Sequence, residues 1–166
     1  MPIIQIPPKK IVISKKFQGI CKKPFYGHPK GCPNFGKKED CPPNQPLINH
    51  VLDFTQPIYV IHTPFAVGEF AETMKTRHPT WTPRQIYNPR LWQPTARKNH
   101  RLELERFVQE HPEAITDSCP EARGVNITEL MREIGINLDW QWPPQHNVAN
   151  VTYRVSLGGT PYNPKS

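Results

Sequence analysis

Three cysteines, Cys21, Cys32 and Cys41, fall in one stretch that reads Cys-Lys-Lys-Pro-Phe-Tyr-Gly-His-Pro-Lys-Gly-Cys-Pro-Asn-Phe-Gly-Lys-Lys-Glu-Asp-Cys-Pro-Pro, and a fourth, Cys119, stands far along the chain. So much proline, glycine and lysine leaves no room for a regular helix or strand. A loop with few apolar side chains must be fixed by something other than burial, and clustered thiols offer a metal or a disulfide. Proline follows three of the four, at Cys32-Pro33, Cys41-Pro42 and Cys119-Pro120. It locks φ and removes a donor, which turns the chain away after each candidate ligand; a Cys-Pro step also ends the ligand run of bacterial ferredoxins. Ten residues separate Cys21 from Cys32 and eight separate Cys32 from Cys41, whereas structural zinc sites bring ligands in close-spaced knuckles. The spacing therefore predicts a 4Fe–4S cluster on Cys21, Cys32, Cys41 and Cys119, with zinc as the alternative metal. Lys15, Lys16, Lys22, Lys23, Lys30, Lys37 and Lys38 crowd the same stretch; cations there lower thiol pKa values and offset the negative charge of a tetrathiolate centre. His28, flanked by Tyr26 and Lys30, is placed to donate a hydrogen bond to a cluster sulfur and tune it.

The run Tyr26-Gly-His-Pro-Lys-Gly-Cys-Pro33, the later Cys41-Pro-Pro43 and the run Cys119-Pro-Glu-Ala-Arg-Gly-Val-Asn-Ile-Thr128 resemble the predicted metal-binding proteins grouped as domain of unknown function 2284. The likeness covers about a third of the chain in two patches. It implies iron–sulfur ligation by Cys21, Cys32, Cys41 and Cys119. The further close-spaced cysteine cluster common in that family is absent here, and the family carries no assigned reaction to transfer.

The elements that must hold these thiols are read from composition and pattern. The chain has 166 residues, 36% hydrophobic content and 21 prolines, which predicts one small α+β domain. It should hold a few short strands, about four helices and long proline-rich loops around a cysteine-ligated centre that supplies part of the stability. Residues 1–14 read as an extended N-terminal arm with a short strand at Ile11–Ile13, and residues 158–166 as a mobile tail beyond the strand-ending pair Gly158-Gly159. Pro57–Thr63 reads as a buried strand, with His62 as a candidate ligand or as a satisfied histidine at a strand edge. Val67, Phe70, Ala71 and Met74 recur at helical spacing over Ala66–Arg77. Thr82-Pro83 opens a short helix to about Tyr87 that Asn88-Pro89 stops. A longer helix is expected over Pro94–Glu110, with Leu104, Phe107 and Val108 inward. Residues 114–118 read as a short strand leading into Cys119. Asn126-Ile-Thr-Glu129 resembles a capping box opening a helix that ends at Gly135, and its start could turn backbone amides toward an anionic cluster near Cys119. Trp140 and Trp142 bound a rigid aromatic turn read as core cover, and Val151, Tyr153, Val155 and Leu157 alternate as a half-buried strand should.

The apolar runs near the N-terminus are too short and too often broken by proline and lysine for a signal peptide or a membrane span, so a cytoplasmic protein without membrane contact is expected. In that reducing setting cysteines serve metals rather than disulfides. The net charge of +7 suits an anionic partner. Arg97, Lys98 and Arg101, with Trp81, Tyr87 and Trp92 nearby, are candidates for nucleic-acid contact, against pairing with Glu103, Glu105 and Glu110 on the same helix. Three functions remain open, beside a minor fourth possibility in which disulfides rather than a metal staple the cysteines. One is an iron–sulfur protein with a redox or structural cluster, served by a redox partner or a larger assembly. Another is an enzyme with a three-cysteine cluster and an open iron for sulfur transfer or dehydration, with Cys119, His28 or His62 as acid–base or sulfur-handling groups. The last is a zinc- or cluster-stapled basic module on nucleic acid or a larger assembly.

Overall fold

The computed structural model describes residues 2–24, 28–39, 41–42, 44–140 and 150–165. Its centre is a β-branched and aromatic run that forms a strand, Ile58–Phe65, as such residues favour a pleated, covered surface. With strands numbered in chain order, this is β2. It lies between the N-terminal β1 (Ile3–Ile6) and the C-terminal β4 (Thr152–Gly159), and the short β3 (Ile115–Asp117) completes the order β1-β2-β4-β3. Every pairing is antiparallel. The fold is a small α+β domain.

Alternate residues of a strand face opposite sides, and both sides of this sheet are covered. Ile58 and Val60 join Ile6, Ile48, Leu52, Val125, Leu130, Met131 and Leu157 in the main core on one face. On the other face lies the long helix α4 (Pro89–Glu110), which seats the fully buried Phe107 against Ile61 and Tyr59. At the end of β2, Phe65 stacks on Trp92, with ring centroids 5.3 Å apart. There Val67, the first residue of α2 (Val67–Arg77), is buried with Trp92 and Ala96.

Local signals set most boundaries. Thr82 and Gln85 form a reciprocal capping box around α3 (Pro83–Ile86), and the Asn126 side chain accepts from the Glu129 amide to start α5 (Ile127–Glu133), which Gly135 follows at φ 85°. Ser14 caps the one-turn α1 (Lys15–Gln18). No described helix is long and apolar enough to cross a membrane.

Several expectations need correction. The extended N-terminal stretch is built into the sheet: Ile3–Ile6 pairs along β2 and buries Ile6, while the expected strand at Ile11–Ile13 reduces to a single bridge between Ile13 and Val125. Pro7-Pro8 leads into a 3-10 turn that separates the two. Asn88-Pro89 starts a helix as well as ending one, because Asn88 accepts from the Arg90 amide and Pro89 fills the first position, where no donor is needed. Pro94 is thus inside α4. Val108 is 39% exposed and faces outward. Gly158 and Gly159 are the last two residues of β4 and are paired within the sheet, and beyond them the Asp53 amide donates to Thr160 and the Tyr162 amide to Val51. The tail is therefore bound to the body of the protein as far as Tyr162. A Cβ on Gly158 would come within 2.4 Å of the Phe107 ring, so glycine is there to make room. Trp140 is no core cover: it is 69% exposed and donates from its indole to Thr128 Oγ1. Trp142 lies outside the described residues.

Candidate metal centre

The cysteine stretch starts where α1 runs into a 3-10 turn, Gly19–Lys22, that carries Cys21. The Cys32 amide donates to the Cys21 carbonyl at 2.6 Å, which lays the second cysteine against the first. Gly31 permits this approach. It takes φ 84°, and a Cβ there would fall 2.6 Å from the Lys22 carbonyl oxygen and 2.7 Å from that of Cys21, so the glycine of the Tyr26–Pro33 run answers both to backbone conformation and to space. The Cys41 thiol donates to the Asn34 carbonyl at 3.2 Å. Cys21, Cys32 and Cys41 are half-buried, Cys119 is exposed, and all four carry thiols rather than disulfides.

Cys119 is carried into this region by packing rather than by sequence. It precedes a 3-10 turn, Pro120–Arg123, that packs against α1. The buried Gln18 amide donates to the carbonyls of Gln45 and Ala122, at 2.9 and 3.0 Å, and Arg123 donates to Gln45 Oε1 at 2.8 Å while forming an ion pair with the buried Asp117. Asp117 in turn accepts from the Cys119 amide. The loop that follows Cys41 and the loop that bears Cys119 are thus tied through two side chains. Beside the tie a cleft of about 160 Å³ is lined by Gln45, Thr116, Asp117, Ser118, Cys119 and Arg123.

Burial, then the charges of Cys32, Glu121 and Cys41, push the Cys21 thiol above its ordinary pKa. The expectation that lysines would depress it does not hold at Cys21, because Lys15, Lys16, Lys22, Lys23, Lys30, Lys37 and Lys38 are all exposed, where water screens them. Lys22 rests over the Phe35 ring instead. His28 and Lys30 are exposed on the turn before Gly31, and Tyr26 lies outside the described residues. α5 begins well past Cys119, so the turn after this cysteine is 3-10 and offers no α-helical N-terminus.

Four thiols are the donor set of a soft metal or of an iron–sulfur core, and in chemistry the residues fit such a group. Among the described residues, no three cysteine, histidine, aspartate or glutamate side chains already surround one point. Metal loading would require the thiols to draw inward.

A second polar cluster, absent from the expectations, lies under α4. His100 is buried at 4% exposure, with Thr63 Oγ1 2.8 Å from Nδ1 and Ser156 Oγ 2.6 Å from Nε2. Burial first, then Arg154 and His62, lowers its pKa to about 4, so the ring is neutral near pH 7. A serine paired with a histidine can make a nucleophile, but Ser156 is fully buried. The relay satisfies polar groups between helix and sheet. Its sequence signal is slight: the alternation of Val151, Tyr153, Val155 and Leu157 leaves Ser156 on the outer side of a half-buried strand, whereas Ser156 is fully buried under α4. His62 is buried on the central strand, not at an edge, and meets the Tyr153 ring edge-on.

The basic residues proposed for nucleic acid, Arg97, Lys98 and Arg101, are exposed on α4. Arg97 bonds Gln93, Arg101 is 4.0 Å from Glu105, and the neighbouring Arg106 is 3.3 Å from Glu103. Trp92 turns inward to Phe65 and Trp81 stacks on His78. No family model, no curated protein and no solved structure matches this chain. The assignment of ligands therefore stands on the residues themselves.

Proposed function

We propose that this protein binds a thiolate-held 4Fe–4S cluster on Cys21, Cys32, Cys41 and Cys119, for electron transfer or to brace its loops. The supporting observation is the double tie, Gln18 to Ala122 and Gln45, and Arg123 to Gln45, that draws the remote Cys119 loop onto the segment bearing the other three. When bound, such a cluster supplies one-electron chemistry and a covalent cross-link. The chain supplies thiolates from two loops, the glycine at position 31 that lets Cys32 approach Cys21, and exposed lysines whose charge suits an acidic redox partner. Zinc on the same thiols is the alternative metal.

The exposed position of Cys119 beside a polar cleft favours a second reading, in which three cysteines hold the cluster and Cys119 serves an open-iron enzyme. Anaerobic reconstitution followed by iron and sulfide analysis and electron paramagnetic resonance after reduction tests both. Equal iron and sulfide in the parent chain, with loss of both in Cys119→Ala, supports four-cysteine ligation. Retention in Cys119→Ala supports the three-cysteine centre. Colourless protein holding one zinc rejects the iron–sulfur class, and failure to hold any metal rejects the proposal.

A further inference from the structure

We infer that Cys21 and Cys32 form an intramolecular disulfide when the metal-free chain meets a mild thiol oxidant such as glutathione disulfide. The hydrogen bond from the Cys32 amide to the Cys21 carbonyl is 2.6 Å long, and with standard backbone dimensions this holds the two Cα atoms within about 6.5 Å of each other. Disulfides span about 4.4–6.8 Å between Cα atoms, so this pair meets the Cα distance requirement. Gly31 keeps it so. Its α-carbon lies against the carbonyls of Cys21 and Lys22, where any Cβ would collide, and the neighbouring Cys32 is thereby held to the Cys21 backbone. Cys41 is engaged elsewhere, its thiol on the Asn34 carbonyl and its amide on that of Lys38. Cys119 sits on the other loop.

The exchange is balanced. The Cys32 thiolate attacks one sulfur of glutathione disulfide and expels a glutathione thiolate, leaving glutathione bonded to Cys32. The Cys21 thiolate then attacks Cys32 Sγ and expels the second glutathione thiolate. Two protein thiols are oxidised, one glutathione disulfide is reduced to two glutathiones, and the two thiol protons pass to the departing thiolates. Where the metal reading above holds, the same bond withdraws two ligands and makes metal loading depend on thiol redox state.

The test needs no metal, because each cysteine falls on its own tryptic peptide: residues 17–22, 31–37, 39–75 and 107–123. The full-length chain, stripped with a chelator under reducing conditions, is exposed to glutathione disulfide, quenched in acid, alkylated, digested without reductant and mapped by mass spectrometry. The expected product links peptide 17–22 to 31–37, with two of the four thiols lost. Cys41→Ser should retain the link and Cys32→Ser should abolish it. Gly31→Ala, which keeps every thiol but forces the two segments apart, should slow its formation by at least about tenfold. A link from Cys21 to Cys41 or Cys119, glutathione remaining on unlinked cysteines, or wild-type speed in Gly31→Ala would overturn the inference. Iron and zinc analysis of the unoxidised chain fails or succeeds separately, so a missing metal and a missing disulfide are distinct results.

Discussion

The sheet beneath α4 and the cysteine loop hold their shapes by opposite means. In the first, Ile61, Phe107 and Leu157 are fully buried, and even the polar His100, Thr63 and Ser156 complete one another's hydrogen bonds. In the second, the buried positions among the described residues from Gly19 to Pro46 are Gly31, Cys-linked Pro42 and nothing larger, and the order comes from backbone turns and from the Gln18 and Arg123 contacts. One region is held by the material it removes from water, the other by a few directional bonds. Three of the four thiols sit in this loop, which has little apolar burial of its own and where a cross-link contributes most.

The sharpest way to break this contrast is at the helix–sheet contact. Phe107→Ala should cost about 3–5 kcal/mol by urea denaturation, since a fully buried aromatic leaves a cavity, and Gly158→Ala should cost about 1–3 kcal/mol by overpacking the same ring. If both cost less than about 1 kcal/mol, the sheet is not the self-sufficient part. Next comes the buried relay. The folded His100 has a pKa of about 4 against 6.5 for an unhindered histidine, so acid protonates the unfolded chain first. Its contribution is complete above pH 6.5 and is lost as the pH falls from there toward 4, by an amount on the order of 3 kcal/mol. Urea midpoints measured across that range should decline in the parent chain and flatten in His100→Phe; equal slopes would deny the relay its role. The smallest effect belongs to the loop. Cys21→Ser or Cys32→Ser in the metal-free chain should change stability by less than about 0.5 kcal/mol, as substitutions at partly exposed sites commonly do. A loss above about 2 kcal/mol would mean that the loop has a core of its own, and the contrast would collapse.

How far each region was legible in the sequence follows the same division. Signals confined to a few neighbouring residues read correctly: the Thr82-Pro83 helix start, the Asn126 cap, the β-branched run of β2 and the short strand before Cys119. Signals that depend on a distant partner did not. Gly158 reads as a strand breaker until Phe107, far back on α4, is seen to need its space. His100 has no local mark, because Thr63 and Ser156 are 37 and 56 residues away. Residues 1–14 read as an extended arm with no partner in view, and the partner that orders Ile3–Ile6 is β2, more than fifty residues on. The four candidate ligands were readable as residue types, with Cys119 expected to join the other three, and what holds its loop there was not, since that rests on Gln18 and Arg123, two residues without chemistry of their own in the sequence pattern.

Gln18 has a consequence of that kind. Both protons of its amide are committed, one to each of two loops, in a place only 6% exposed. Deamidation exchanges that nitrogen for an oxygen and would leave a carboxylate against two carbonyls with nothing to offer either. A spontaneous chemical ageing event, altering the side chain by a single heavy atom, would thus turn the clasp between the thiol-bearing segments into a point of repulsion.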